Sequence, residues 1–161
     1  MDTYSVYMAK NEVENAQFVL YSDTTKSGLT ASVTAFENEA GNTIPAELYY
    51  EMYVTTTDLR EDFVLGATAG DSIIREGETP DPVVPLKNIG AFQLNGGKSQ
   101  AFFIKLRSAE DTPSGWYSAQ LDIKNDKGQV VKTATVFAYV WDFTISEETA
   151  LRTSFYIGND T

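Results

Sequence analysis

The sequence predicts an all-β domain of two packed antiparallel sheets, and three observations carry that prediction. Apolar side chains recur at every second residue over most of the chain, as in strands with one buried face. No segment holds a 3.6-residue apolar stripe for longer than two turns, the acidic stretch NEVENAQ being the nearest imitation of a helix start. Seven or so strand-like runs are separated by turns, which favours sheet on sheet over a barrel.

Taken in order, strands are expected at about Tyr4 to Met8 and Ala16 to Tyr21. Leu29, Ala31, Val33 and Ala35 then alternate with Thr30, Ser32 and Thr34. The stretch ENEAGNT breaks the alternation, which resumes at Ile44 and passes through Leu48, Tyr50, Met52 and Val54, so these two strands are expected to pair as a hairpin. From Asp58 to Asn88 the pattern fails: DLRED, LGATAGDS, EGETPDP and VVPL follow one another. A structureless stretch of that length is uncommon in a compact domain and marks a functional loop or an interface. Its apolar residues, among them Phe63, Ile73, Val83, Val84 and Leu86, need something to pack on. Strands resume at about Gln100 to Arg107, Trp116 to Lys124 and Val130 to Phe143, the last two joined by the turn NDKGQ, whose Asn, Asp and Gly tolerate positive φ.

Within GWYSAQLDI, period two places Tyr117, Ala119, Leu121 and Ile123 on one face and Trp116, Ser118, Gln120 and Asp122 on the other. The first face is apolar, so Tyr117 points inward and Trp116 outward. An acidic residue, Asp111, followed by a glycine and a tyrosine just ahead of a strand resembles the corner of immunoglobulin-like sandwiches, in which the phenol hydroxyl bonds back to nearby backbone. The spacing from Asp111 to Tyr117 is longer than usual, and Ala119 stands where such domains carry a disulfide cysteine. The expected fold is therefore an immunoglobulin-like antiparallel β-sandwich with one long loop insertion.

Three sets of aromatics need an explanation. An outward Trp116 exposes a large apolar area unless the long loop or a neighbouring domain covers it; the alternative is a platform on which a sugar stacks. Tyr49 and Tyr53 share an outer face with Glu47 and Glu51, a ladder that suits either the edge of a glycan or ordinary sheet-surface cover. In the last strand Phe137, Tyr139, Trp141 and Phe143 share one face and Val136, Ala138 and Val140 the other, so both faces are expected to be buried, the aromatic one in core or in a domain contact.

Composition excludes several activities. The 161 residues suffice for one domain with a sizeable core, and they include no cysteine, hence no disulfide and no indication of redox compartment. With 23 acidic residues against 12 basic ones, the net charge of −11 repels nucleic acid and anionic lipid, while neutral partners such as sugars remain compatible. No apolar run reaches membrane-spanning length, and MDTYSVYMAK lacks the plan of a signal peptide, so any export signal would precede it. Without His or Cys, the Ser-His and Cys-His nucleophilic sites and the usual zinc sites are excluded. Acidic pairs at Asp58 and Glu61, Glu76 and Glu78, and Glu147 and Glu148 lie in polar loops or the tail, where carboxylates are usually solvated. Gly66, Gly70 and the run Asn95, Gly96, Gly97 read as loop and turn positions rather than a phosphate cradle. No catalytic residue, metal site or cofactor is expected.

The stretches NEVENAQFVLYSD, YYEMYV, PDPVVPL, DTPSGWYSAQLDI and VWDFTISEE occur in an order that resembles the N-terminal β-sandwich of glycoside hydrolase family 123-like proteins. The resemblance covers nearly the whole chain. In that family the sandwich precedes a (β/α)8 catalytic barrel acting on N-acetylgalactosaminides, whose catalytic Asp and Glu belong to the barrel and have no counterpart here. The resemblance thus implies a sandwich domain over residues 1–147, a linker and the start of a following domain over 148–161, a catalytic barrel as partner in cis, and a bacterial, extracellular or cell-envelope setting. Three readings follow. The first is a noncatalytic accessory domain whose long loop and aromatic last strand contact a carbohydrate-active barrel. The second is an autonomous carbohydrate-binding module using Trp116, Tyr49 and Tyr53, and the third is a protein-binding surface module.

Overall fold

A computed structural model describes residues 3–56 and 77–148. Eleven strands form among these residues: β1 (Thr3–Lys10), β2 (Val13–Ser22), β3 (Lys26–Val33), β4 (Phe36–Glu37), β5 (Thr43–Ile44), β6 (Ala46–Thr56), β7 (Gly77–Pro85), β8 (Phe92–Leu94), β9 (Lys98–Arg107), β10 (Gly115–Lys124) and β11 (Val130–Thr144). One helical turn, α1 (Leu86–Ile89), lies between β7 and β8. The strands make two packed sheets, an all-β sandwich. Sheet A runs β1-β11-β10-β3-β8, with β4 on β10 and β5 on β4; sheet B runs β2-β9-β6-β7.

Alternation builds the core as expected. Val6, Met8, Tyr117, Ala119, Leu121, Val136, Ala138 and Val140 project inward from sheet A and meet Ala16, Ile104 and Leu106 of sheet B, with Phe36 and Ile44 closing one side. Toward the other end Phe102, fully buried, gathers Phe18, Tyr50 and Phe92 around it at ring separations of 5.0, 5.3 and 4.9 Å. Aromatic groups of this size contribute about 1.5–3 kcal/mol each when fully buried.

The chain crosses from sheet A to sheet B at Asn11, which adopts φ 60°, a left-handed conformation that Asn tolerates better than most residues. Buried Ser108 sutures this crossing: its hydroxyl donates to the Ala9 carbonyl at 2.7 Å and accepts from the Glu12 amide at 3.0 Å. The far end of β11 is tied to the same corner, because the Ile145 amide donates to the Lys10 carbonyl and the Asn11 side chain to the Ile145 carbonyl, each at 3.0 Å.

Four expectations need correction. The strands on either side of ENEAGNT are not a hairpin: β3 lies in sheet A and β6 in sheet B. The turn itself closes the miniature hairpin β4–β5, where the Asn38 carboxamide oxygen accepts from the Ala40 and Asn42 amides. Pro45, which has no N–H to donate, then separates β5 from β6. The sheets are not wholly antiparallel either, since β1 joins β11 in parallel.

The long loop is the third correction. Residues 77–85 form strand β7, and Leu86 of α1 is buried in the second core cluster; the part at 57–76, with Phe63 and Ile73, lies outside the described residues. Pro80, Pro82 and Pro85 disguise β7 in the sequence, but an edge strand tolerates prolines because one side of its ladder is unused. The fourth is the aromatic face of β11, which is not core. Val136, Ala138 and Val140 are buried, whereas Trp141 and Phe143 are 45% and 58% exposed on the outer side.

Candidate functional site

The outer surface of sheet A is an aromatic face assembled from three strands. Tyr139 on β11 has Tyr7 of β1 as its register partner on one side and Trp116 of β10 on the other. Period two then adds Phe137 and Trp141, one pleat away in either direction along β11. The rings touch throughout: Trp116 lies 5.0 Å from Tyr139 and 5.9 Å from Tyr7, Tyr139 lies 4.8 Å from Trp141, and Trp141 stacks on Tyr7 at 6.2 Å. Edge-to-face contacts at such distances contribute about 0.5–1.5 kcal/mol per pair beyond area burial, so the cluster is held in place by its own members. It remains open to water, with Trp116 51% and Tyr7 54% exposed.

Beside Trp116 the sheet is incomplete. Strand β3 pairs only with Leu121–Lys124 of β10, and β4 reaches it at one position, Glu37 opposite Ser118. The missing ladder leaves a groove of about 690 Å³ between β10 and the β4–β5 hairpin, lined by Trp116, Phe137, Glu37, Asn38, Glu39 and Gln120 among others. Among the described residues, no lysine or arginine contributes to its walls. The Glu37 and Glu39 carboxylates accept no hydrogen bond from the described residues, while Gln120 donates through Nε2 to Asp122 at 3.1 Å.

Tyr117 lies beneath this surface, buried as its place in the alternation requires, and its hydroxyl donates to the Pro113 carbonyl at 2.7 Å. Burial pushes its phenol above the ordinary tyrosine value, with the Asn38 side chain and Lys10 acting the other way. Asp111 makes no hydrogen bond in the corner among the described residues. It is exposed, and the turn is held by Thr112, whose hydroxyl accepts from the Ala109 amide at 2.7 Å and whose amide donates back to the Ala109 carbonyl.

Tyr49 and Tyr53 are placed elsewhere. Both belong to β6 of sheet B, the sheet opposite Trp116, so the three residues cannot form one binding surface. The Tyr49 hydroxyl donates to Glu47 at 3.2 Å, and the Lys105 ammonium stands 5.9 Å from its ring centre. Partial burial, then the Glu47 carboxylate, raises the Tyr49 phenol above its usual range. The Tyr53 hydroxyl donates to the Ser99 carbonyl at 3.2 Å beside a second groove, which Gln93 and Asn95 also line. Of the acidic pairs, Asp58, Glu61 and Glu76 lie outside the described residues, Glu78 is paired with Lys98 at 2.6 Å, and Glu147 and Glu148 are exposed.

Sequence reasoning missed Tyr7 as a member of the aromatic face. Its one local signal is that Val6 and Met8 flank it as inward residues; its place beside Trp116 follows from the parallel pairing of β1 with β11.

No protein-family model matches the chain, and no curated protein matches it. Among solved structures it is similar to a family 123 glycoside hydrolase from Clostridium perfringens, described for its hydrolysis of glycolipid glycans, with a TM-score of 0.62 and 15% identity over 89% of this chain. The chain spans only 24% of that enzyme's length. At this identity the likeness is one of fold. The N-terminal domain of PorA also aligns, over 89% of this chain and 91% of that one, but at 10% identity and a TM-score of 0.36 it carries no argument.

Proposed function

We propose that this chain is a noncatalytic accessory domain that packs against, and stabilises, a carbohydrate-active (β/α)8 catalytic domain. The observation that carries the proposal is the match of 89% of this chain to only 24% of a family 123 glycoside hydrolase chain: the sandwich there is one part of a larger enzyme. A surface suited to the contact is available on the aromatic face, where Tyr7 of β1 and Trp141 and Phe143 of β11 stay exposed and lead to exposed Ile145. Large exposed apolar patches mark interaction sites, and covering each such side chain contributes about 1.5–3 kcal/mol. The corner bonds between Lys10, Asn11 and Ile145 hold the end of β11, beside this face, in a set direction. The sandwich would supply rigidity and leave the chemistry to its partner.

The test is to read the coding sequence adjoining this segment and to express the chain with and without what it encodes. A catalytic barrel in cis, one cooperative melting transition for the joined protein, and a lower transition with Trp141→Ala are the expected results. Absence of an adjoining barrel, or two transitions that ignore Trp141→Ala, would overturn the proposal.

A further inference from the structure

The groove between Trp116 and the β4–β5 hairpin is built for a particular chemistry. We infer that it binds uncharged saccharides, with Trp116 and Phe137 as the apolar wall and Glu37, Asn38 and Gln120 as the polar one. This inference goes beyond the accessory-domain reading and holds with or without a catalytic partner.

The groove's volume, about 690 Å³, falls within the roughly 300–1,000 Å³ typical of small-ligand sites. One wall is an aromatic pair, Trp116 and Phe137, with ring centres 6.4 Å apart and half of Trp116 in solvent. A pyranose offers a face of C–H groups to such rings, whose negative π faces attract them. The other wall offers what a ring of hydroxyls needs: the Glu37 and Glu39 carboxylate oxygens, which accept O–H donors, with the Gln120 carboxamide beside them. Glu37 and Glu39 accept nothing from the described residues, so their acceptor capacity is available.

Charge narrows the class further. Two carboxylates with no cation beside them among the described lining residues, on a chain of net charge −11, repel phosphorylated, sulfated or sialylated ligands. The groove is also preorganised. The hairpin wall is fixed through Asn38, whose carboxamide oxygen holds the Ala40 and Asn42 amides, and β10 is anchored at Gln120, whose amide donates to the Thr34 hydroxyl at 3.0 Å. Trp116 itself is braced by Tyr139 and Tyr7 on the side away from the groove's polar wall. A rigid aromatic loses little freedom on binding, which favours weak but saturable association.

The chain has two tryptophans, so Trp141→Phe leaves Trp116 as the single reporter. Titrating this variant with lactose, chitotriose and cellotriose is expected to change its emission saturably for at least one sugar, with a millimolar dissociation constant. Sialyllactose is expected to bind about tenfold more weakly than lactose or not at all. In affinity gels containing the responsive glycan, Trp116→Ala should lose retention and Glu37→Gln should weaken it several-fold, each with a melting temperature near that of the parent. No saturable response to any of the three sugars would overturn the inference. So would retention that survives Trp116→Ala, equal binding of lactose and sialyllactose, or tighter binding of trilysine than of any sugar, which would mark a basic peptide as the ligand.

Discussion

The Tyr117 hydroxyl donates to the carbonyl of Pro113, four residues earlier, at 2.7 Å from a side chain that is 1% exposed. The bond closes the turn that launches β10 and thereby sets which face of that strand looks outward. Removing the hydroxyl takes away this bond, while the Pro113 carbonyl, on an exposed residue, can turn to water. Tyr117→Phe is expected to lower unfolding stability by about 0.5–1.5 kcal/mol in urea denaturation. An unchanged midpoint would mean that the corner is held by the Thr112 bonds alone.

Ser108 offers a stronger test of the sheet crossing. Its hydroxyl serves Ala9 and Glu12 at once, and it sits at 1% exposure. Ser108→Ala leaves both backbone groups unpaired near the core, at a cost of about 1–3 kcal/mol, while Ser108→Thr should retain part of the bonding. Hydrogen exchange at the Glu12 amide is the local readout, and it should accelerate in the alanine variant more than amides in β9 and β10 do.

Lys10 and Asp142 join β1 to β11 at 2.6 Å. The hydrogen bond from Lys10, then its charge, holds the Asp142 carboxyl below the usual aspartate value. A folded value below the unfolded one means that the pair's contribution is present at neutral pH and is lost as pH falls through the folded value. Asp142→Asn should therefore lower stability slightly above the ordinary aspartate range, have little effect below the folded value, and so flatten the acid limb of the stability profile. Asp142 is solvent-exposed, so water and salt screen the effect and keep it small. Carboxyl NMR titration should show Asp142 moving up in Lys10→Met.

Catalysis gives the fourth prediction. Glycoside hydrolysis requires two carboxyl groups about 5–10 Å apart across a bound sugar. Glu37 and Glu39 lie on the same side of the groove, on the β4–β5 hairpin and its turn, facing aromatic and amide side chains. The isolated chain is expected to release no nitrophenol from nitrophenyl N-acetylgalactosaminide at any pH between 4 and 8 (about the range in which such carboxylates work). Turnover abolished by Glu37→Gln would overturn both this expectation and the accessory-domain reading.

The sequence by itself determined what depends on neighbours along the chain. Period two sorted Tyr117 inward and Trp116 outward, and put Val136, Ala138 and Val140 opposite Phe137, Tyr139 and Trp141, because successive strand side chains alternate wherever the strand is placed. Turn chemistry located ENEAGNT and NDKGQ, where Asn38 and Asn125 do cap their turns through side-chain oxygens. Tertiary structure decided everything that depends on pairing partners. It separated β3 from β6, laid β1 parallel to β11, and set Tyr7 beside Trp116 while keeping Tyr49 and Tyr53 on the opposite sheet. A strand's alternation says which face is apolar but not which ladder it joins, since ladder bonds are made by backbone groups common to all residues. The groove beside Trp116 is the clearest case: it exists because β3 stops pairing with β10 at Leu121, an event written in no single segment of the chain.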